Sequence, residues 1–101
     1  MPDPRIYPIP SHYTDHVTVL AVSTLVRAAN VNRVTMDLVN DGDSVIYLSL
    51  ENAAAIGDGM RINPNGGSYH LGTENLWLGA VYGITGDGQM CNMTINEGYK
   101  P

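Results

Sequence analysis

The chain has 101 residues, 44% of them hydrophobic, and a formal charge of −5 from five basic and ten acidic side chains. This length supports one domain with one modest core, and the acidic balance disfavours phosphate backbones and anionic membrane surfaces as partners. One cysteine, Cys91, excludes an intrachain disulfide framework. No apolar run approaches the roughly 20 residues that cross a bilayer, and no secretion signal is expected from the N-terminal residues.

Residues 1–16 carry four prolines within the first ten positions. Proline removes a backbone donor and forces the residue before it toward extended angles, which opposes a helix or a central strand. Ile6, Tyr7, Ile9 and Tyr13 are nevertheless apolar. The segment therefore reads as an extended arm, residues 1–16, lying along its own body or along a neighbouring subunit. The body is assigned to residues 17–101.

Residues 17–20 and 24–27 are short runs dense in β-branched residues, which favours two strands over one helix. Residues 28–32 read as a loop. In residues 33–40, Val34, Met36 and Leu38 alternate with Thr35 and Asp37, the period of a half-buried strand. Asn40-Asp41-Gly42-Asp43 then reads as a tight reversal into a second strand, so residues 33–50 are predicted to form a β-hairpin. Residues 51–59 form a loop with room for one helical turn. A second hairpin is predicted from residues 60–63 and 68–71 around Asn63-Pro64-Asn65-Gly66-Gly67. Residues 72–78 connect, residues 79–85 form a strand, and Gly86-Asp87-Gly88-Gln89 turns into residues 90–96, where Cys91, Met93 and Ile95 share a face. Residues 97–101 read as a short polar tail. Seven to eight short antiparallel strands with regular turns predict an all-β fold, a two-sheet β-sandwich of jelly-roll or Ig-like type with an extended Pro-rich N-terminal arm.

The residues that carry chemistry in other proteins do not assemble here by spacing. The Asp41/Asp43 turn lacks the further oxygens of a calcium loop. Gly57-Asp58-Gly59 and Gly86-Asp87-Gly88 lack the third glycine and following helix of a nucleotide fingerprint. His12, His16 and His70 show no metal spacing with Cys91 or with acids. No catalytic, cofactor or metal residues are assigned, and the chain is not expected to be an enzyme. Trp77, flanked by Leu76 and Leu78 in a connection, is either an interface anchor or a cap on the core. Ile6, Tyr7, Pro8, Ile9, Pro10, Tyr13, Trp77 and Leu78 are the candidate partner-binding residues.

Residues 32–48 (Asn-Arg-Val-Thr-Met-Asp-Leu-Val-Asn-Asp-Gly-Asp-Ser-Val-Ile-Tyr-Leu), residues 59–69 with their Gly-Gly-Ser turn, and residues 79–84 (Gly-Ala-Val-Tyr-Gly-Ile) resemble small structural proteins of tailed bacteriophages, above all capsid decoration (cement) proteins. The likeness covers roughly residues 24–96 and leaves residues 1–16 outside it. It implies a non-catalytic binding role on the virion, made in the host cytoplasm, with the major capsid protein as partner. Repeating such a contact over a shell favours a homo-oligomer, and a trimer suits a local threefold axis. A receptor- or glycan-binding module of a fibre or tail is the alternative, and a cellular binding or enzymatic domain a third.

Overall fold

The structure is a computed structural model, and it describes residues 11–72, 74–86 and 89–100. Eight strands run in chain order: β1 (Ser11–Val19), β2 (Thr24–Arg27), β3 (Arg33–Asn40), β4 (Ile46–Leu50), β5 (Met60–Ile62), β6 (Ser68–Leu71), β7 (Val81–Thr85) and β8 (Cys91–Tyr99). No helix occurs among the described residues. The strands form two four-stranded antiparallel sheets, ordered β1-β8-β3-β6 and β2-β7-β4-β5.

The pairing has a simple logic. β1 pairs with β8, β2 with β7, β3 with β6 and β4 with β5, as in one long folded ribbon. The ribbon then rolls up, and the β3–β8 and β4–β7 ladders close the two sheets. This is a jelly roll, a two-sheet sandwich of eight strands, which selects between the two predicted sandwich types.

Neither predicted hairpin is a hairpin, nor do the strands on either side of the residue 86–89 turn pair with each other. β3 and β4 lie in different sheets, as do β5 and β6, and β7 and β8. Each of these connections has five residues, enough at about 3.3 Å per residue to cross the roughly 10 Å between packed sheets. Among the described residues, β4 and β5 are the only consecutive strands that pair, across a nine-residue loop that contains no helical turn.

Alternating side chains fill the space between the sheets. Met36 and Leu38 of β3 and Met93 and Ile95 of β8 meet Ile46 and Leu48 of β4 and Val81 of β7, all buried. Each such side chain contributes about 1.5–3 kcal/mol by leaving water. Cys91 belongs to this core, and its thiol donates to Asn40 Oδ1 (3.0 Å).

β3 is fixed at both ends by buried polar residues. At its C-terminal end, Asn40 is fully buried. Its amide donates to the carbonyls of Ser44 (2.7 Å) and Ile62 (3.1 Å), and Gly42 N–H donates to its Oδ1 (3.0 Å). That one side chain ties together two sheet-crossing turns. At the N-terminal end, a register shift between Arg33 and Thr35 against β8 breaks the alternation. The bulge re-aims the chain, so Arg33 points inward while Val34, expected on the buried face, is only half-buried.

Two boundaries also differ from expectation. β1 includes residues 11–16, which were assigned to the arm, and pairs with β8 along all nine positions. As an edge strand it needs a partner on one side only, which suits a segment following prolines. β8 continues to Tyr99, so the predicted polar tail from residue 97 is in part a strand whose Glu97 is fully buried.

Candidate functional site

The end of the sandwich where β1 begins and β8 finishes carries the loops of residues 28–32 and 72–80. Ser11 and Arg33 both stand opposite Tyr99, and Lys100 N–H donates to the Asn32 carbonyl (2.9 Å). These loops rest on a buried charge cluster. Glu97 is in phase with Cys91, Met93 and Ile95, so the strand delivers it inward beneath the loops. Its Oε2 accepts from Arg33 Nε (2.5 Å). Its Oε1 accepts from Arg27 Nε (3.1 Å), Arg27 Nη2 (2.8 Å) and Asn30 Nδ2 (3.3 Å). Burial pushes the Glu97 carboxyl up, but the hydrogen bonds from Arg27, Arg33 and Asn30 outweigh it and hold the group below the usual carboxylate range. Glu97 is therefore an anion at neutral pH, matched by two guanidinium groups.

Arg33 uses its remaining donors to hold the loops. Nη1 donates to the carbonyls of Trp77 (2.8 Å) and Gly79 (3.0 Å), and Nη2 donates to that of Ala28 (2.8 Å). Asn30 N–H bonds the Leu78 carbonyl (2.8 Å), which zips the two loops together. Both loops are thus fixed before any partner arrives. Arg27 also stacks on the Tyr13 ring, 3.8 Å from its centroid, and the Tyr13 hydroxyl donates to Asp15 Oδ2 (2.6 Å).

Three apolar side chains stand out from these fixed loops: Val31 at 79% exposure, Leu76 at 40% and Leu78 at 37%. Of the predicted partner-binding residues, Leu78 is in this group. Trp77 is not an exposed anchor. Its ring is partly buried against the core and its Nε1 donates to the Ala80 carbonyl (2.9 Å). Tyr13 is likewise partly buried against the core. Ile6, Tyr7, Pro8, Ile9 and Pro10 lie outside the described residues. Val31 and the Arg27–Arg33–Glu97 cluster were missed. A lone valine between asparagines in a loop was the signal for Val31. The phase of Glu97 with Ile95, in a chain with only five basic residues, was the signal for the cluster.

Other titratable groups make smaller sets. His70 Nδ1 lies 2.5 Å from Asp37 Oδ1 on an exposed part of the β3–β6 ladder. Beside it is an open cleft of about 210 Å³ lined by His70, Gly72, Glu74 and Asn75. Among the described residues, no three His, Cys, Asp or Glu side chains converge where they could hold a metal ion. Among the described residues no helix is long and apolar enough to cross a membrane.

No family model matches the chain, and neither a curated protein nor a solved structure matches it.

Proposed function

We propose that this chain is a viral structural protein of the capsid-decoration type. It binds the outer surface of a phage head through the loop end of its jelly roll and works as a homo-oligomer, a trimer by preference. The supporting observation is the group Val31, Leu76 and Leu78, exposed on two adjoining loops that a buried ion cluster already holds in place. Apolar side chains gathered on a surface favour a binding role, and a pre-ordered surface loses little entropy on docking. The jelly roll is also used by viral capsid domains, which adds an argument by analogy only. β1 begins at this same end, with Ser11 opposite Tyr99.

The test is co-sedimentation with empty heads built from the major shell protein of the virus that encodes the chain. Val31→Asp/Leu78→Asp and a variant lacking residues 1–10 are compared with the wild type. Burying a carboxylate at an apolar contact costs at least 1–3 kcal/mol, so affinity falls about tenfold or more for the double variant. Undiminished binding by both variants would remove this end from the mechanism. A second reading, a glycan- or receptor-binding module, is favoured by the cleft that His70, Glu74 and Asn75 line with their polar side chains. A glycan array with wild type and Glu74→Gln decides it: a Glu74-dependent signal supports that reading, and silence removes it.

A further inference from the structure

Among the described residues, the sandwich has four sheet edges with no strand beyond them, at β1, β6, β2 and β5. An open edge invites pairing with another chain unless it is short, bulged, or interrupted by proline or charge. β5 has three residues and β6 has four, while the four-residue β2 carries a register shift. β1 is different. It has nine residues, no register shift against β8, and neither proline nor lysine within it.

The direction of its outward groups follows from the ladder. Asp41 N–H donates to the Asn92 carbonyl from the β3 side. In an antiparallel ladder each residue aims its N–H and C=O at the same neighbour and the next residue aims them at the other. Even-numbered β8 residues near Asn92 therefore bond β3, and odd-numbered ones bond β1. Their partners Val19, Val17, Asp15 and Tyr13 point their backbone groups at β8, which leaves those of Thr18, His16, Thr14 and His12 facing outward. At the middle of that outward row, His16 N–H is already taken. It donates to Asp15 Oδ1 (2.7 Å), while Tyr13 Oη donates to Asp15 Oδ2 (2.6 Å).

We propose that the free edge of β1 is a strand-adding surface matched to a second copy of this chain, and that Asp15 holds it shut. Asp15 is the central residue of β1. Full-length antiparallel pairing of two β1 strands about a twofold axis sets Tyr13 opposite Val17 of the second copy and Thr14 opposite its His16, pairs a sheet accepts. The same register sets Asp15 directly against Asp15 of the second copy, where like charges repel. An arriving strand must also displace the carboxylate from His16 N–H. The hydrogen bonds from Tyr13 and His16 hold the Asp15 carboxyl below the usual range, so the charge persists at neutral pH.

The experiment is sedimentation equilibrium over a concentration series on the full chain, with circular dichroism to confirm a folded sheet. Asp15→Ala is expected to form species larger than the wild type's, doubling the mass if the wild type is a monomer, in a concentration-dependent way. Asp15→Thr, a strand former, does the same. Thr14→Pro removes an outward N–H without touching the β1–β8 ladder, so Asp15→Ala/Thr14→Pro returns to the wild-type mass. An unchanged mass in both Asp15 variants overturns the proposal. So does association that survives Thr14→Pro, or a wild-type assembly that Thr14→Pro alone dissolves. None of these outcomes bears on shell binding by the loop end.

Discussion

Replacing Glu97 by Gln tests whether the loop end is held by charge. The substitution keeps shape and volume but turns one acceptor oxygen into an amide donor. Glu97 receives four hydrogen bonds, three at Oε1 and one at Oε2. Whichever way the glutamine amide is turned, its NH₂ meets a guanidinium N–H. Arg33, with its side chain fully buried, then keeps a full charge facing no counter-charge, which the dipoles of its three carbonyl acceptors offset only in part. Breaking a buried pair from one side costs about 3–5 kcal/mol. For a domain of this size that lowers the melting temperature by roughly 12–40 °C, at about 4–8 °C per kcal/mol. Urea unfolding at pH 7, followed by the fluorescence of Trp77, measures it directly, because Arg33 bonds the Trp77 carbonyl. The exposed pair offers a contrast: Asp37→Asn shifts stability by less than about 0.5 kcal/mol. Arg33→Met/Glu97→Met removes the buried charges but strips donors from the Ala28, Trp77 and Gly79 carbonyls, so it remains about 2 kcal/mol or more below wild type. A Glu97→Gln protein within about 0.5 kcal/mol of wild type would refute the assignment of the cluster as the anchor of these loops.

Three further outcomes follow from the same structure. The folded pKa of Glu97 lies below its unfolded value of about 4.3, so its stabilisation is complete above that value and is lost as pH falls through the folded pKa. Urea midpoints measured from pH 6 to pH 2 should therefore fall more steeply for wild type than for Glu97→Gln. Gly59 has φ of 85° and a Cβ there would run into the Leu48 carbonyl, so Gly59→Ala should destabilise by about 1–3 kcal/mol, read by thermal melting. Cys91 is 2% exposed, so its reaction with a thiol reagent should proceed only as fast as the protein opens and become immediate in denaturant.

The strand positions were legible because alternation was strong. Residues 33–40, 68–71 and 90–96 each announce a buried face, and all three are strands in place or nearly so. Strand partnership was not legible. Asn-Asp-Gly and Asn-Pro-Asn-Gly-Gly encode a change of direction, but a five-residue link reverses within a sheet or crosses to the other with equal ease. Only the packing of the whole ribbon decides between them. The inward turn of Arg33 was hidden because a bulge shifts the phase of the alternation locally, and sequence period cannot register an inserted residue. Glu97 was legible in principle, continuing the phase of Ile95. A carboxylate in the polar run 97–101 reads as part of a solvated tail until its two arginines, 64 and 70 residues away along the chain, are seen to meet it. At the candidate site, Leu78 is exposed, while Trp77 packs partly against the core, the cap that the sequence had left open beside the anchor, since a tryptophan between leucines satisfies a core as well as a surface.

β8 lies between β1 and β3 in its sheet, and β7 lies between β2 and β4 in the other. The two strands that bridge the halves of the sandwich are thus the last two of its eight to be synthesised. Until they have emerged, β1 and β2 lack the strands they pair with and neither sheet is continuous, so the native body cannot close before its last strand is made. A chain cut after Met90 would lack β8 and leave β1 and β3 without their common neighbour, with the core open on that side.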